Sequence, residues 1–189
     1  MATTNPFLNI RSKIGDEEKS MSWYKAQIKS LSSITPNRLL SNAPDLTSRI
    51  LPGNMYMFFY DAKHQDKLPY WDMFPLVLPF RSVQDGFFGL NLHYLPYGAR
   101  FKLLGYLHDL SIKKEMSEDN RLRLNWRLLN SASRFAPAKA CVKHYLYEQL
   151  KSRFLQVQYP DWITAAMLPV ERFVGANKTA VWEDSRKKY

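Results

Sequence analysis

Between Met55 and Tyr94 the chain passes through three β-prone apolar runs separated by turn residues, and this alternation constrains the fold more than any other feature. The first run, "MYMFFY", spans Met55 to Tyr60 and gives way to a polar turn around His64 to Lys67. The second is "FPLVLPF", Phe74 to Phe80. The third, Phe87 to Tyr94, comes after Asp85-Gly86, a dipeptide suited to a tight turn. Three consecutive antiparallel strands of this kind predict a small meander or a barrel-like sheet. Pro75 and Pro79 lack N–H donors, which assigns the second run to a sheet edge or to strand ends.

Beyond the sheet the chain reads as mainly helical. Pro96 suits the first turn of a helix that carries Phe101, Leu104, Leu107 and Leu110. "RLRLNWRLLNSA" puts Leu122, Trp126 and Leu129 on one helical face, and "AKACVKHYLYEQLKS" repeats the pattern with Cys141, Tyr145, Leu146 and Leu150. "RFLQVQ" predicts a returning strand. Pro160 and Asp161 open a helix through Ala166 that Pro169 stops, and "AVWEDSRKKY" predicts a short terminal helix.

Residues 1–50 read differently. Ser, Thr, Asn and Pro are frequent there, and Pro36, Pro44 and Pro52 interrupt its second half. This predicts an extended or partly disordered arm, with one short helix in "DEEKSMSWYKAQIKSL" anchored by Trp23, Ile28 and Leu31. The fold class is therefore α+β: an arm, then a compact basic domain over residues 51–189. At 189 residues and 46% hydrophobic content, such a chain can bury a real core.

Charge is the sharper functional signal. The net charge of +10 favours an anionic partner, either nucleic acid or an acidic protein face. It is concentrated: Arg121, Arg123, Arg127, Arg134, Lys139, Lys143, Lys151 and Arg153 face a single acid, Glu148, between residues 121 and 158. On helices, Arg123 and Arg127 would share a face, and so would Lys139 and Lys143, the second stripe running on through Tyr147 to Lys151. Like charges at that spacing repel, and phosphate would offset the repulsion. A solvated face, paired with Glu115, Glu118 and Asp119, is the alternative.

Motifs for other chemistries are thin. Cys141 is the single cysteine, so neither an internal disulfide nor a Cys-rich zinc site can form, and it reads as a buried, inert thiol. His64, His93, His108 and His144 are dispersed and read as structural. Asp61, Asp66, Asp72 and Asp85 fall near strand ends without the frame a magnesium-dependent nuclease needs. There is no Gly-rich phosphate loop, no serine nucleophile elbow and no run of membrane-spanning length. No signal peptide is expected, and the protein is expected to work inside a cell or a particle. Tyr70, Trp71, Phe74 and Phe80, in the proline-rich "KLPYWDMFPLVLPF", read as core or sheet-edge packing, the alternative being an exposed platform that stacks bases. By elimination the chain reads as a binding or structural protein, without cofactor or metal.

The blocks "MYMFFYDAKHQDKLPYWDMFPLVLPF" and "GFFGLNLHYLPYGARFKLLGYL" resemble proteins of T4-type tailed bacteriophages. So do "CVKHYLYEQLKSRFLQV", "LPVERF" and "AVWEDSRKKY". The resemblance covers roughly Met55 to Tyr189, leaves the arm out, and points to the DNA end protector family. It implies a virion protein, met in the host cytoplasm during assembly, that occupies the terminus of double-stranded DNA and blocks exonucleases without covalent chemistry. Arg121, Arg123, Arg127, Arg134, Lys139, Lys143, Lys151 and Arg153 would then meet phosphates, and Tyr147 would cap the terminal base pair. The other reading is a structural virion component of neck, head vertex or baseplate that docks an acidic virion protein, with room for oligomeric assembly.

Overall fold

The structure, a computed structural model, describes residues 5–187 apart from 16, 32–33, 45, 112–125, 127–128 and 131–135. Its centre is a six-stranded antiparallel sheet. In chain order the strands are β1 (Leu46–Thr47), β2 (Met55–Met57), β4 (Leu76–Val83), β5 (Gly86–Asn91), β6 (Val142–Leu146) and β7 (Phe154–Val157). In space they run β1-β7-β2-β4-β5-β6, so β1 and β6 form the edges and the sheet is open, not a barrel. The expected meander is present as β2-β4-β5, and the returning strand as β7. A second sheet pairs β3 (Trp71–Asp72) with β8 (Phe173–Val174).

Alternation along "MYMF" decides the two faces of the main sheet. Met55 and Met57 join Leu76, Leu78, Leu90, Leu155 and Val157 on one face, which the helical layer covers through Trp162, Ala165, Ala166 and Val181. Tyr56 and Phe58 point the other way, into an aromatic cluster with Phe87, Tyr145 and Phe154. Phe58 is its centre, with edge-on ring contacts to Tyr145 at 5.3 Å and Phe154 at 5.0 Å. Both faces being covered, β2 is buried at every position.

The position of β4 corrects the edge assignment. This strand is internal, between β2 and β5. Pro75 does precede its first residue, but Pro79 lies within it. The proline is tolerated because β2 pairs only with Leu76 and Val77, so Pro79 lies beyond its reach, at an irregularity in the register with β5. The hairpin turn is Gln84–Asp85, and Gly86 opens β5. A Cβ there would lie 2.0 Å from the Tyr145 carbonyl oxygen, so only glycine fits against β6.

The amino-terminal segment is also corrected. Where an extended arm was expected, α1 (Pro6–Ile14), α2 (Met21–Lys29) and α3 (Pro36–Ser41) form. Each begins with a side-chain cap, from Asn5, Ser20 and Thr35 respectively. Pro6 and Pro36 open helices instead of interrupting them. Phe7 and Leu39 are buried in the main core, and Ile10 and Tyr24 pack on Met167. An ion pair from Arg11 to the buried Asp161 ties α1 to the helix Trp162–Met167. The α2 helix lies where its anchors, Trp23, Ile28 and Leu31, indicated.

Of the later helices, α4 (Tyr97–Ser111), Trp162–Met167 and the terminal helix Lys178–Lys187 lie where expected. The predicted helix through residues 141–150 does not form. A short helix, Ala136–Lys139, ends there, and residues 142–146 become β6 instead. Pairing with β5 and the β-prone residues of "VKHYLY" override helical spacing.

Candidate nucleic-acid interface

Two polar regions flank the aromatic cluster. The first is a buried hub. Asp72, at the end of β3, accepts hydrogen bonds from Asn91 Nδ2 at 3.1 Å and from the backbone N–H groups of Phe74 and Arg172 at 3.1 and 3.2 Å. His93 Nδ1 lies 2.7 Å from its Oδ2. Burial pushes the Asp72 carboxyl up, but the His93 ring and these hydrogen bonds more than compensate and hold it below the ordinary carboxylate range.

Beside it, Arg100 is 0% exposed in α4 and donates to three carbonyls: Leu95 at 2.7 Å, Ala166 at 2.9 Å and His93 at 3.2 Å. Burial lowers its pKa, with Glu171, 3.5 Å away, acting in the opposite direction. Glu171 accepts from Tyr97 Oη at 2.9 Å, and Lys178 stands 3.5 Å off. Burial raises the Glu171 carboxyl, and His93, Arg100 and Lys178 together pull it below its usual value. Two buried atoms of this hub, His93 Nε2 and Glu171 Oε2, have no partner among the described residues.

The second region is a slot of about 680 Å³ between β6 and the loop of residues 60–72. Tyr60, Tyr70, Trp71, Tyr94 and Tyr145 supply its rings, with Lys63, His64, Lys143 and His144 as basic groups and Asp72 and Asp85 as acids. Lys143 Nζ rests 4.0 Å from the Tyr94 ring centroid, and Lys63 pairs with Glu148 at 2.7 Å. The loop is held from behind: Trp71 pairs with Val174, and Tyr70 Oη donates to Asp184 of the terminal helix. Gly175, at φ 85°, lets the chain pass where a Cβ would lie 2.5 Å from the Pro69 carbonyl oxygen.

Of the residues that sequence selects for DNA contact, Arg121, Arg123, Arg127 and Arg134 lie outside the described residues, and so do Glu115, Glu118 and Asp119. Lys139 is exposed at the end of its short helix, and Lys143 lines the slot. Tyr147 is 42% exposed, tilted against Phe87 at 6.0 Å. Lys151 and Arg153 are exposed on the segment joining β6 to β7, and with Lys139 they make no ion pair with a described residue. The helical stripe from Lys139 to Lys151 is overturned: in a strand, four residues span about 13 Å, against about 6 Å in a helix.

Sequence reasoning missed the hub. Asp72, the pair Asn91 and His93, Arg100 and Glu171 come from four separate places in the chain, and the one local sign was polar residues in apolar runs such as "LNLHYL". The histidine at its centre, expected to be a satisfied structural residue, is buried and bonded through Nδ1 to Asp72 but leaves Nε2 without a partner among the described residues. The Cys141 thiol is buried and pushed up to about 12 by that burial. Within "KLPYWDMFPLVLPF", Phe74 and Phe80 are core, and Tyr70 and Trp71 line the slot. Among the described residues no His, Cys, Asp or Glu cluster is placed to hold a metal, and no helix is long and apolar enough to cross a membrane.

Fold and site together define a strongly basic, antiparallel α+β protein in which β6, the edge strand among the described residues, borders an aromatic slot. The chain belongs to the family described as phage T4 terminal DNA protecting protein, whose model matches residues 9–185. That match takes in most of the amino-terminal helices as well as the sheet. No curated protein and no solved structure matches the chain.

Proposed function

We propose that this protein binds the ends of linear double-stranded DNA and shields them from exonucleases by occupancy, without chemistry of its own. It would act on the phage genome in the virion and in the host cytoplasm. The observation that carries this reading is the family match over residues 9–185. The net charge of +10 supports it, because phosphate contacts supply most sequence-independent affinity.

The contacts would come from Lys139, Lys143, Lys151 and Arg153, together with Arg121, Arg123, Arg127 and Arg134. Lys151 and Arg153 rise from a segment fixed at the sheet's end, where Lys151 N–H donates to the Phe59 carbonyl at 2.9 Å and Leu150 bridges Tyr60. A rigid base of this kind lowers the entropy lost when a long cation is ordered on a phosphate. Tyr147, half-exposed beside them, would stack on the terminal base pair.

The test is affinity for a linear blunt duplex against a covalently closed circle of the same sequence, across a salt series. Preference for the linear form, weakening with salt, is expected. Equal affinity would reduce the cations to general backbone contacts. Absence of binding to either would overturn the reading in favour of an acidic virion protein as partner.

A further inference from the structure

The backbone of β6 carries an observation that the charge pattern does not. Asn91 N–H donates to the Cys141 carbonyl at 2.8 Å, and Tyr147 N–H donates to the Asp85 carbonyl at 2.9 Å. In an antiparallel ladder hydrogen-bonded pairs alternate, so Gly89↔Lys143 and Phe87↔Tyr145 are the bonded pairs between them. The N–H and C=O groups of Val142, His144 and Leu146 therefore point away from β5, on the side where no strand among the described residues pairs with β6. Leu146 bears this out, its N–H donating to Tyr60 Oη at 3.3 Å across the slot. Among the described residues, nothing takes the outward donor and acceptor groups of Val142 and His144, which border a cavity lined by aromatic rings.

We propose that this slot holds the terminal nucleotide of a DNA strand, unpaired from its complement, so that the base pair on which Tyr147 stacks is the last intact one. The proposal rests on the end-binding reading above and locates its site. A nucleobase needs a flat apolar surface and an in-plane pair of hydrogen-bonding groups. Tyr60, Tyr70 and Trp71 provide the first, and the His144 edge provides the second. The volume of about 680 Å³ exceeds what one nucleotide needs and lies in the range of small-molecule sites. Lys143, which lines the slot, brings positive charge for the adjoining phosphate, whereas Lys63 is already paired with Glu148. A protein strand fits less well, because Tyr60 already takes the Leu146 N–H and leaves too short a run for pairing. An exonuclease that must engage a terminal nucleotide would find it withdrawn.

Replacing His144 tests the edge directly. His144→Pro removes the outward N–H without touching the ladder to β5, and prolines are tolerated on such edges. His144→Ala is the control, since it keeps the N–H and equally loses the ring stacked on Phe88 at 4.6 Å. The full chain is titrated with a duplex bearing one unpaired terminal nucleotide and with a closed dumbbell of the same sequence. Wild type and His144→Ala should prefer the open duplex. In His144→Pro that preference should fall about fivefold, equivalent to one hydrogen bond, with dumbbell affinity unchanged. Full preference in folded His144→Pro would overturn the proposal.

A second measurement needs no variant. With 2-aminopurine as the unpaired terminal base, wild-type protein should quench its fluorescence through stacking on the rings. Binding without quenching would overturn the slot and leave end binding standing. Failure of wild type to bind either DNA would overturn the end-binding reading, and the slot with it.

Discussion

The hub and the slot lie on either side of Asp72 and solve opposite problems. In the hub, Arg100 and Asp72 have each acquired several partners, and every element that meets there is locked: β3, β5, α4 and the terminal helix, whose Trp182 donates to the His93 carbonyl at 2.9 Å. In the slot, rings and backbone groups of the same sheet border open space. Buried ions with several partners, such as Asp72 and Arg100, hold a fold together. The outward backbone groups of Val142 and His144 in β6, without a partner among the described residues, are where the proposed nucleotide would bind. Changes to the hub should therefore cost stability and spare affinity, and changes around the slot should do the reverse.

The largest expected effect is Arg100→Met. It leaves Glu171 buried with only the half-exposed Lys178 as its cation and releases three carbonyls, a loss of about 3–5 kcal/mol by analogy with other broken buried pairs. Thermal unfolding should show a drop of roughly 10 °C for a chain of this size. Affinity for DNA measured well below that transition should be unchanged.

Acid should attack the same region. Asp72 and Glu171 both titrate below their ordinary values in the folded chain. Their stabilisation is complete above the unfolded values, about pH 4–4.5, and is lost as pH falls through the lower folded ones. Denaturation midpoints tracked from pH 6 to pH 3 should fall steeply below about pH 4.5. In Asp72→Asn that fall should be shallower.

Around the slot the effects turn to binding. Lys151→Glu with Arg153→Glu should weaken DNA about tenfold and flatten the salt dependence by about two phosphate contacts. The melting temperature should stay within a degree or two, since both side chains are exposed. Unchanged affinity would remove these cations from the interface. Tyr147→Ala should give the smallest change, about fivefold for lost stacking, confined to DNA with free ends.

The same contrast explains how much of the molecule was legible in the sequence. The sheet was legible because "MYMFFY", "FPLVLPF" and "DGFFGLNL" are short, β-prone apolar runs bounded by turn residues, signals that act locally. Helix α2 was legible from its anchors, but α1 and α3 were not: their prolines sit at first turns, and thin apolar spacing suffices because few anchors, Phe7, Ile10 and Leu39, reach a core built elsewhere. Strand β6 was misread because "ACVKHYLY" supports either period, and the pairing with β5 that decides it lies fifty residues away. Cationic residues could be picked out from sequence, but the slot could not, because it exists only where β6, the 60–72 loop and Tyr94 converge. Lys143 shows both sides of this: it was selected for a helical stripe that does not form, and it lines the slot from a strand.

The most direct test of the central claim is exonuclease digestion of a linear duplex carrying a saturating amount of the protein. End protection predicts that digestion from the termini stops while an endonuclease still cuts the interior at its normal rate. Digestion from the ends at the rate of bare DNA, with the protein demonstrably bound, would contradict it.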